Sequence, residues 1–256
     1  MTVQPGAEPY DAQGSGDLGR VGVLVLHGFT GSPVSMRPWA EHLAAAGLTV
    51  RLPRLPGHGT SWQDMTTTRW PDWYGEAERS FDALAAACEA VFVVGLSMGG
   101  TLTLRLAEEK AGTVRGVVTV NASLVSPDPR MRALPLLKLV VPSLAGIGND
   151  MKKEGVDEGA YARVPLRALA SLLELQRLTL ADLGRITCPV LAFRSRVDHV
   201  VAPQSGELLR SRTASGRVEE RVLEDSYHVA TLDNDAAAIF AGSLDFVRAG
   251  LAAPAA

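Results

Sequence analysis

The stretch Val91-Phe92-Val93-Val94-Gly95-Leu96-Ser97-Met98-Gly99-Gly100 decides the fold. It opens as a continuous apolar run of strand length. It closes on small residues that lead into Met98–Glu109, where apolar positions recur at helical spacing. A bare Gly-x-Ser-x-Gly is a weak pattern. Placed between a strand and a helix it becomes specific, because that is the setting a nucleophile elbow requires. The reason is steric: the turn is so tight that side chains two residues either side of the serine would collide, and Gly95 and Gly99 remove them. Ser97 is then held with its hydroxyl outward, at a helix start whose free N–H groups favour a developing oxyanion.

Working outward, further apolar runs occur at Val21–Leu26, Leu48–Leu52, Val114–Val120, Val190–Phe193 and Val218–Leu223. They are continuous rather than alternating, the mark of parallel strands covered on both faces. Helix-like segments separate them at Met36–Ala46, Trp70–Cys88, Gln204–Arg212 and Ala236–Leu251. The first stops at Gly47, and the second carries Pro71 in its first turn, where a missing N–H is tolerated. This alternation predicts an α/β chain with a mostly parallel central sheet flanked by helices, joined by right-handed crossovers. Residues 122–186 break the rhythm. They hold the apolar-rich PDPRMRALPLLKLVVPSLAGIG, an acidic stretch, and Tyr161–Leu180, which reads as an amphipathic helix. No strand-like run interrupts them. The expected organisation is an α/β core of residues 21–121 and 187–256, a small helical cap (lid) insertion at 122–186, and a flexible N-terminal arm at 1–20 with room for a short edge strand.

Composition sets the broad class. A chain of 256 residues with a net charge of −3 has no basic run, so nucleic acid is not an expected partner. Apolar stretches fall short of the ~18 residues a membrane span needs, so no integral membrane segment is expected. The first 20 residues lack the apolar core of a secretory signal. Two cysteines, Cys88 and Cys188, cannot staple a domain this size and show no metal-ligand spacing. A cytoplasmic protein with reduced thiols, and without a metal or other cofactor, is the expectation.

A serine hydroxyl is a poor nucleophile until a base takes its proton. The chain offers five histidines. His42 lies inside a helix, His58 in the turn Pro56-Gly57-His58-Gly59, and His199 directly after Asp198, which cannot easily orient it. His27, in His27-Gly28-Phe29-Thr30-Gly31 after a strand, reads as a structural hydrogen-bonding group. His228, just past Val218–Leu223, falls at the carboxyl edge of a parallel sheet, where α/β sites form, and is the expected base. Asp198, just past Val190–Phe193, is the expected acid, and Asp225 and Glu224 are crowded against His228. The backbone N–H groups of Phe29 and Met98 are the candidate oxyanion-hole donors. The chain order Ser97, Asp198, His228 is that of α/β-hydrolases.

Together LHGFTGSP, RLPGHG, GLSMGG, SRVDHVV and SYHVATLD resemble the bacterial carboxylesterase and monoacylglycerol lipase branch of the α/β-hydrolase superfamily, over about residues 21 to 250. The resemblance implies an α/β-hydrolase fold, a serine hydrolase acting on short- to medium-chain acyl esters or monoacylglycerols, and a lid over the site. It matches Phe29 and Met98 to the oxyanion-hole positions. Tyr227 departs from the glycine that many relatives carry before the histidine. The partner implied is a small ester with an apolar acyl chain. A thioesterase, acyltransferase or other serine-dependent reaction on the same fold is the alternative, as is a non-catalytic binding homologue. Leu134, Leu136, Leu137, Leu139, Val140, Val141, Leu144 and Ile147 could line an acyl pocket or pack the cap onto the core.

Overall fold

A computed structural model describes residues 2–126, 128, 131 and 133–252. The outermost ends of the expected arm and core, and cap positions 127, 129, 130 and 132, lie outside the described residues. The first half of the chain runs β1 (Tyr10–Ala12), β2 (Val21–Leu26), α1 (Arg37–Ala45), β3 (Thr49–Leu52), α2 (Trp62–Met65), α3 (Trp70–Ala87), β4 (Ala90–Leu96), α4 (Met98–Glu109) and β5 (Val114–Val120). Next come α5 (Leu134–Val140), β6 (Ser143–Ala145), β7 (Arg163–Pro165) and α6 (Leu166–Asp182). The chain then re-enters the sheet with β8 (Val190–Ser195), α7 (Gln204–Arg212), β9 (Val218–Leu223) and α8 (Ala236–Ala252).

The main sheet has seven strands in the order β1-β3-β2-β4-β5-β8-β9. Every neighbouring pair is parallel except β1 with β3. Successive side chains of a strand point to opposite faces, so one strand feeds two cores. Leu24, Leu26, Val91 and Val93 pack on the side of α3, α4 and α6. Val23, Val25, Phe92 and Val94 pack on the side of α1 and α8. Two buried faces require apolar residues at every strand position, which is why the runs read as continuous. Each such side chain contributes roughly 1.5–3 kcal/mol by leaving water.

Residues 2–20, the described part of the expected arm, are fastened to this core rather than loose. β1 pairs with β3 through Tyr10–Leu52, Gln4 N donates to Gly59 O at 2.8 Å, and Ala7 is fully buried. The segment between β5 and β8 also departs from the strand-free expectation. β6 and β7 form a two-stranded antiparallel ribbon with Leu144 opposite Val164. Strands of three residues are too short to display a period, which hides them in the sequence. The second helix of the segment begins at Leu166 rather than Tyr161. Pro165 pushes the residue before it into extended backbone and favours a helix start immediately after itself.

Candidate active site

The elbow has the geometry its glycines anticipated. Ser97 sits at φ 55°, ψ −117°, a backbone conformation that L-residues avoid and that marks stored strain. A Cβ on Gly95 would stand 2.3 Å from Gly99 O. Ser97 N donates to Val120 O at 2.9 Å, so the turn is fastened to β5 as well as to its own strand and helix.

Beside the elbow lies the loop after β2. A Cβ on Gly28 would be 3.6 Å from Ser97 Cβ, an ordinary van der Waals contact, so this loop runs directly alongside the serine. Among the described residues neither Phe29 N nor Met98 N donates to a protein acceptor, leaving both free for a ligand. The loop is held by His27. Its Nδ1–H donates to Gly28 O at 3.0 Å, and its Nε2 accepts from Leu55 N at 3.1 Å. Burial, reinforced by Arg54, lowers its pKa to about 4 against the opposing bond to Gly28, so the ring stays neutral and keeps one acceptor nitrogen. His27 is thus a loop fastener, as its position suggested. Phe29 itself rests against His58 and Trp73 at ring-centroid distances of 6.4 and 5.8 Å.

His228 follows β9, and Asp198 follows β8. His228 Nδ1 lies 2.9 Å from Asp198 Oδ2. A carboxylate only accepts, so Nδ1 carries the proton and Nε2 presents a lone pair. Asp198 Oδ1 accepts from Val200 N and Val201 N, both at 2.8 Å. Burial, the largest influence on Asp198, works against its charge, but the His228 bond and charge and the two amides outweigh it and hold the pKa below the usual carboxylate value. Burial likewise works against the charged form of His228. The Asp198 bond and charge, then Glu158 and Asp150, overcome it and raise the imidazole above its ordinary 6.5.

Ser97 and His228 both line one cavity of about 290 Å³. Each is 8% exposed, so both are largely shielded from bulk solvent. Its floor includes Gly28, Phe29 and Leu96 from the core; its walls include Leu144, Ile147, Val164, Leu166, Leu169 and Leu172 from the 122–186 segment. No hydrogen bond joins Ser97 Oγ to the imidazole among the described residues. Such bonds are commonly long in free enzymes and tighten when substrate binds. Among the described residues no group of three His, Cys, Asp or Glu side chains could hold a metal ion, and no helix is long and apolar enough to cross a membrane.

The remaining histidines are occupied elsewhere. His42 is exposed on α1. His58 is fully buried with Nδ1 3.0 Å from Pro56 O. His199 pairs with Asp150 at 2.7 Å. Asp225 and Glu224 pair with Lys152 and Arg196. Of the apolar residues in the 134–147 region, Leu144 and Ile147 line the cavity and Leu134 is buried. Leu136, Leu139 and Val140 are at least 70% exposed, neither lining the pocket nor packing on the core.

Three polar residues at the site escaped the sequence reading. Asn121, at φ 46°, donates through Nδ2 to His228 O at 2.8 Å and to Ser195 Oγ at 3.0 Å, and accepts Ser195 N. It joins the ends of β5 and β8 to the His228 loop. Tyr161 crosses from the insertion to the core: its N donates to Thr30 O, and its hydroxyl bridges Gly57 O and Thr60 N. Glu158 faces the cavity, buried, and accepts Asn149 N at 2.7 Å. Burial pushes its carboxyl pKa up, with the Asn149 amide and His228 opposing. An asparagine directly after a strand, a residue type that tolerates left-handed backbone, was the one available signal; the partners of Tyr161 lie about 100 or more residues away and leave none.

The model of the alpha/beta hydrolase family matches residues 23–241. A thermostable monoacylglycerol lipase of Bacillus sp. (strain H-257) is 45% identical over 245 residues, covering 95% of each chain. A carboxylesterase of Bacillus subtilis (strain 168) is 24% identical, over 83% of this chain and 86% of its own. A solved structure described with the metagenome-derived lipolytic enzymes LipS and LipT superposes at a TM-score of 0.93 with 44% identity, covering 97% of this chain and all of the other. The family match spans both halves of the core and the segment between them, and the chain belongs to the alpha/beta hydrolase family.

Proposed function

We propose that this chain is a serine esterase that hydrolyses carboxylic esters through an acyl-enzyme on Ser97, with monoacylglycerols and short- to medium-chain acyl esters as its substrates. The observation that carries this reading is one apolar-walled cavity lined by Phe29, a strained, outward serine and an Asp-oriented imidazole, with the Phe29 and Met98 N–H groups taken by no protein acceptor among the described residues. The 45% identical monoacylglycerol lipase supports the substrate class.

In this mechanism His228 Nε2 takes the Ser97 proton as Oγ attacks the ester carbonyl. The carbonyl oxygen, now negative, receives the Phe29 and Met98 N–H groups. Asp198 stabilises the imidazolium without taking its proton. The tetrahedral species collapses, the C–O bond to the alcohol breaks, and His228 passes its proton to the departing oxygen. Water, deprotonated by the same imidazole, then attacks the acyl-enzyme and releases the acid.

Because His228 must reach the leaving oxygen, the alcohol end of the substrate lies on its side of the cavity. Glu158 stands on that side, close enough for its charge to act on His228. A carboxylate there accepts hydrogen bonds from hydroxyls on the alcohol, which glycerol has and simple alkyl alcohols lack. The apolar residues of β6, β7 and α6 would receive the acyl chain, making the 122–186 segment a cap over the site. We also place the protein in the cytoplasm, a reading supported by two cysteines that are not paired with each other.

The test is a fluorophosphonate probe followed by a substrate series. The expected result is one covalent adduct at Ser97 and turnover of monoacylglycerols. Intact, folded protein that forms no adduct ends the reading, and faster turnover of acyl thioesters than of any oxygen ester redirects it.

A further inference from the structure

The insertion does more than roof the cavity: it reaches behind the imidazole. Asp150 lies in the insertion between β6 and β7. Its Oδ2 accepts from His228 N at 3.2 Å and from His199 N at 3.3 Å. Its Oδ1 lies 2.7 Å from His199 Nδ1, and its backbone carbonyl accepts Val229 N at 3.0 Å. One carboxylate therefore touches the loop that carries Asp198, through the adjacent residue, and the loop that carries His228, through the residue itself. These loops follow different strands, and each bond fixes where its loop sits relative to the other.

The surroundings hold Asp150 in place. Asp233 accepts Lys152 N, Lys153 N and Tyr227 N at 2.7–2.9 Å, binding the chain beyond Asp150 to the base loop. The His199 ring stands edge-on to Tyr227 at 4.7 Å, which closes the cluster. Asp150 is itself only 12% exposed, which removes most competition from water for its bonds.

We propose that Asp150 is a positioning residue of the catalytic machinery, a clamp supplied by the insertion that sets the distance between the acid loop and the base loop. This rests on the serine-esterase reading. It gives the insertion a second role, because an enzyme whose insertion detached would lose alignment of His228 as well as its pocket. A misplacement of an ångström in such a group lowers turnover up to about a hundredfold.

Asparagine and alanine at this position separate the clamp from a merely structural contact. An asparagine oxygen still accepts both backbone N–H groups, whereas alanine accepts neither. Asparagine also removes a negative charge. The other charged groups that face the imidazole are Asp198 and Glu158, and Lys152 is paired with Asp225. Losing one of three carboxylates makes the imidazolium less stable, which shifts the acid limb of kcat/KM to lower pH.

The experiment measures kcat, KM and the pH profile of p-nitrophenyl butyrate hydrolysis for the wild type, Asp150→Ala and Asp150→Asn, at matched folded fraction by near-ultraviolet circular dichroism. The expected result is a kcat for Asp150→Ala about tenfold or more below wild type with KM within about twofold. Asp150→Asn retains most of kcat and moves the acid limb down. Asp150→Ala with wild-type kcat overturns the proposal, as does an acid limb unmoved in Asp150→Asn; the second criterion decides alone if the alanine variant does not fold. A wild type that forms no fluorophosphonate adduct overturns the esterase reading itself, and is recognisable without either variant.

Discussion

A Cβ built on Gly99 would stand 2.0 Å from the carbonyl oxygen of Leu26. Helix α4 thus meets strand β2 backbone to backbone, immediately below the serine. Real Cβ atoms do not approach an oxygen so closely, and the nearest atoms belong to main chain that cannot rotate away. Gly99→Ala must therefore push α4 off the sheet and carry Met98 N–H with it. Overpacking of this kind costs about 1–3 kcal/mol or more. The expected outcome is a Tm lower by at least several degrees and a loss of esterase activity larger than the loss of folded protein explains. Calorimetry paired with active-site titration checks it; an alanine variant with wild-type Tm and turnover contradicts the packing argument.

Asp198→Asn tests the acid. Asparagine can offer its amide N–H to His228 Nδ1 and so favour the tautomer whose Nε2 bears the proton, useless as a base. By analogy with other serine triads the expected drop in kcat is about 10⁴, against ~10⁶ for Ser97→Ala. Steady-state kinetics on p-nitrophenyl butyrate measure both. Near-normal turnover in Asp198→Asn would transfer the role to another carboxylate, with Asp225 the first to examine.

The pH dependence follows from the imidazole. The proposed base His228 can take a proton only when neutral, and the carboxylates around it raise its pKa above 6.5. Activity is therefore present at high pH and lost as pH falls through that raised value. The acid limb of kcat/KM, which reports the free enzyme, is expected to have its midpoint above 6.5. A midpoint clearly below 6.5 would mean that burial, not the carboxylates, dominates the ring.

Glu158 is expected to distinguish alcohols rather than acids. Glu158→Gln keeps an acceptor for Asn149 N but removes the charge that would receive glycerol hydroxyls. A hydrogen bond to a charged group contributes about 1.5–3 kcal/mol, so kcat/KM for a monoacylglycerol should fall about tenfold or more relative to the p-nitrophenyl ester of the same acid. Equal losses on both substrates would remove Glu158 from alcohol recognition.

What was legible in the sequence was what depends on local chemistry. Val91–Gly100 disclosed a strand, a strained turn and a helix because sterics within ten residues force them. Asp198 and His228 were found because each follows an apolar run, and strand ends in a parallel sheet share one edge. What stayed hidden depends on chain closure. Asp150 and Glu158 lie in a stretch without periodicity and Tyr161 at the edge of a helix-like run, and each acquires its partners only when that segment folds across the core. β6 and β7 are recognisable only as a pair. The exposure of Leu136, Leu139 and Val140 ran against the expectation that apolar residues there would be covered, because hydropathy alone does not say which face of α5 meets the protein.

Glu108, on α4, is fully buried. Its Oε2 accepts from Arg105 at 3.0 Å, and Arg105 is shared with Asp182 at 2.7 Å and with Glu109. Its Oε1 is buried without a partner among the described residues. Burial, the largest influence, disfavours the charge and outweighs Arg105, pushing the pKa up to about 8. The unfolded chain releases this proton near the ordinary value of about 4.3, so between there and pH 8 the folded state holds the proton and the unfolded state does not. The stability that Glu108 contributes is therefore complete in acid and declines as pH rises through that window, then levels off above it. Glu108→Gln cannot ionise and loses this slope. The Tm difference between variant and wild type should grow in favour of the variant from pH 5 to pH 8 and stay constant beyond about pH 9. Calorimetry at intervals of one pH unit reads it directly. A difference that does not change with pH would show that Arg105 keeps Glu108 ionised throughout.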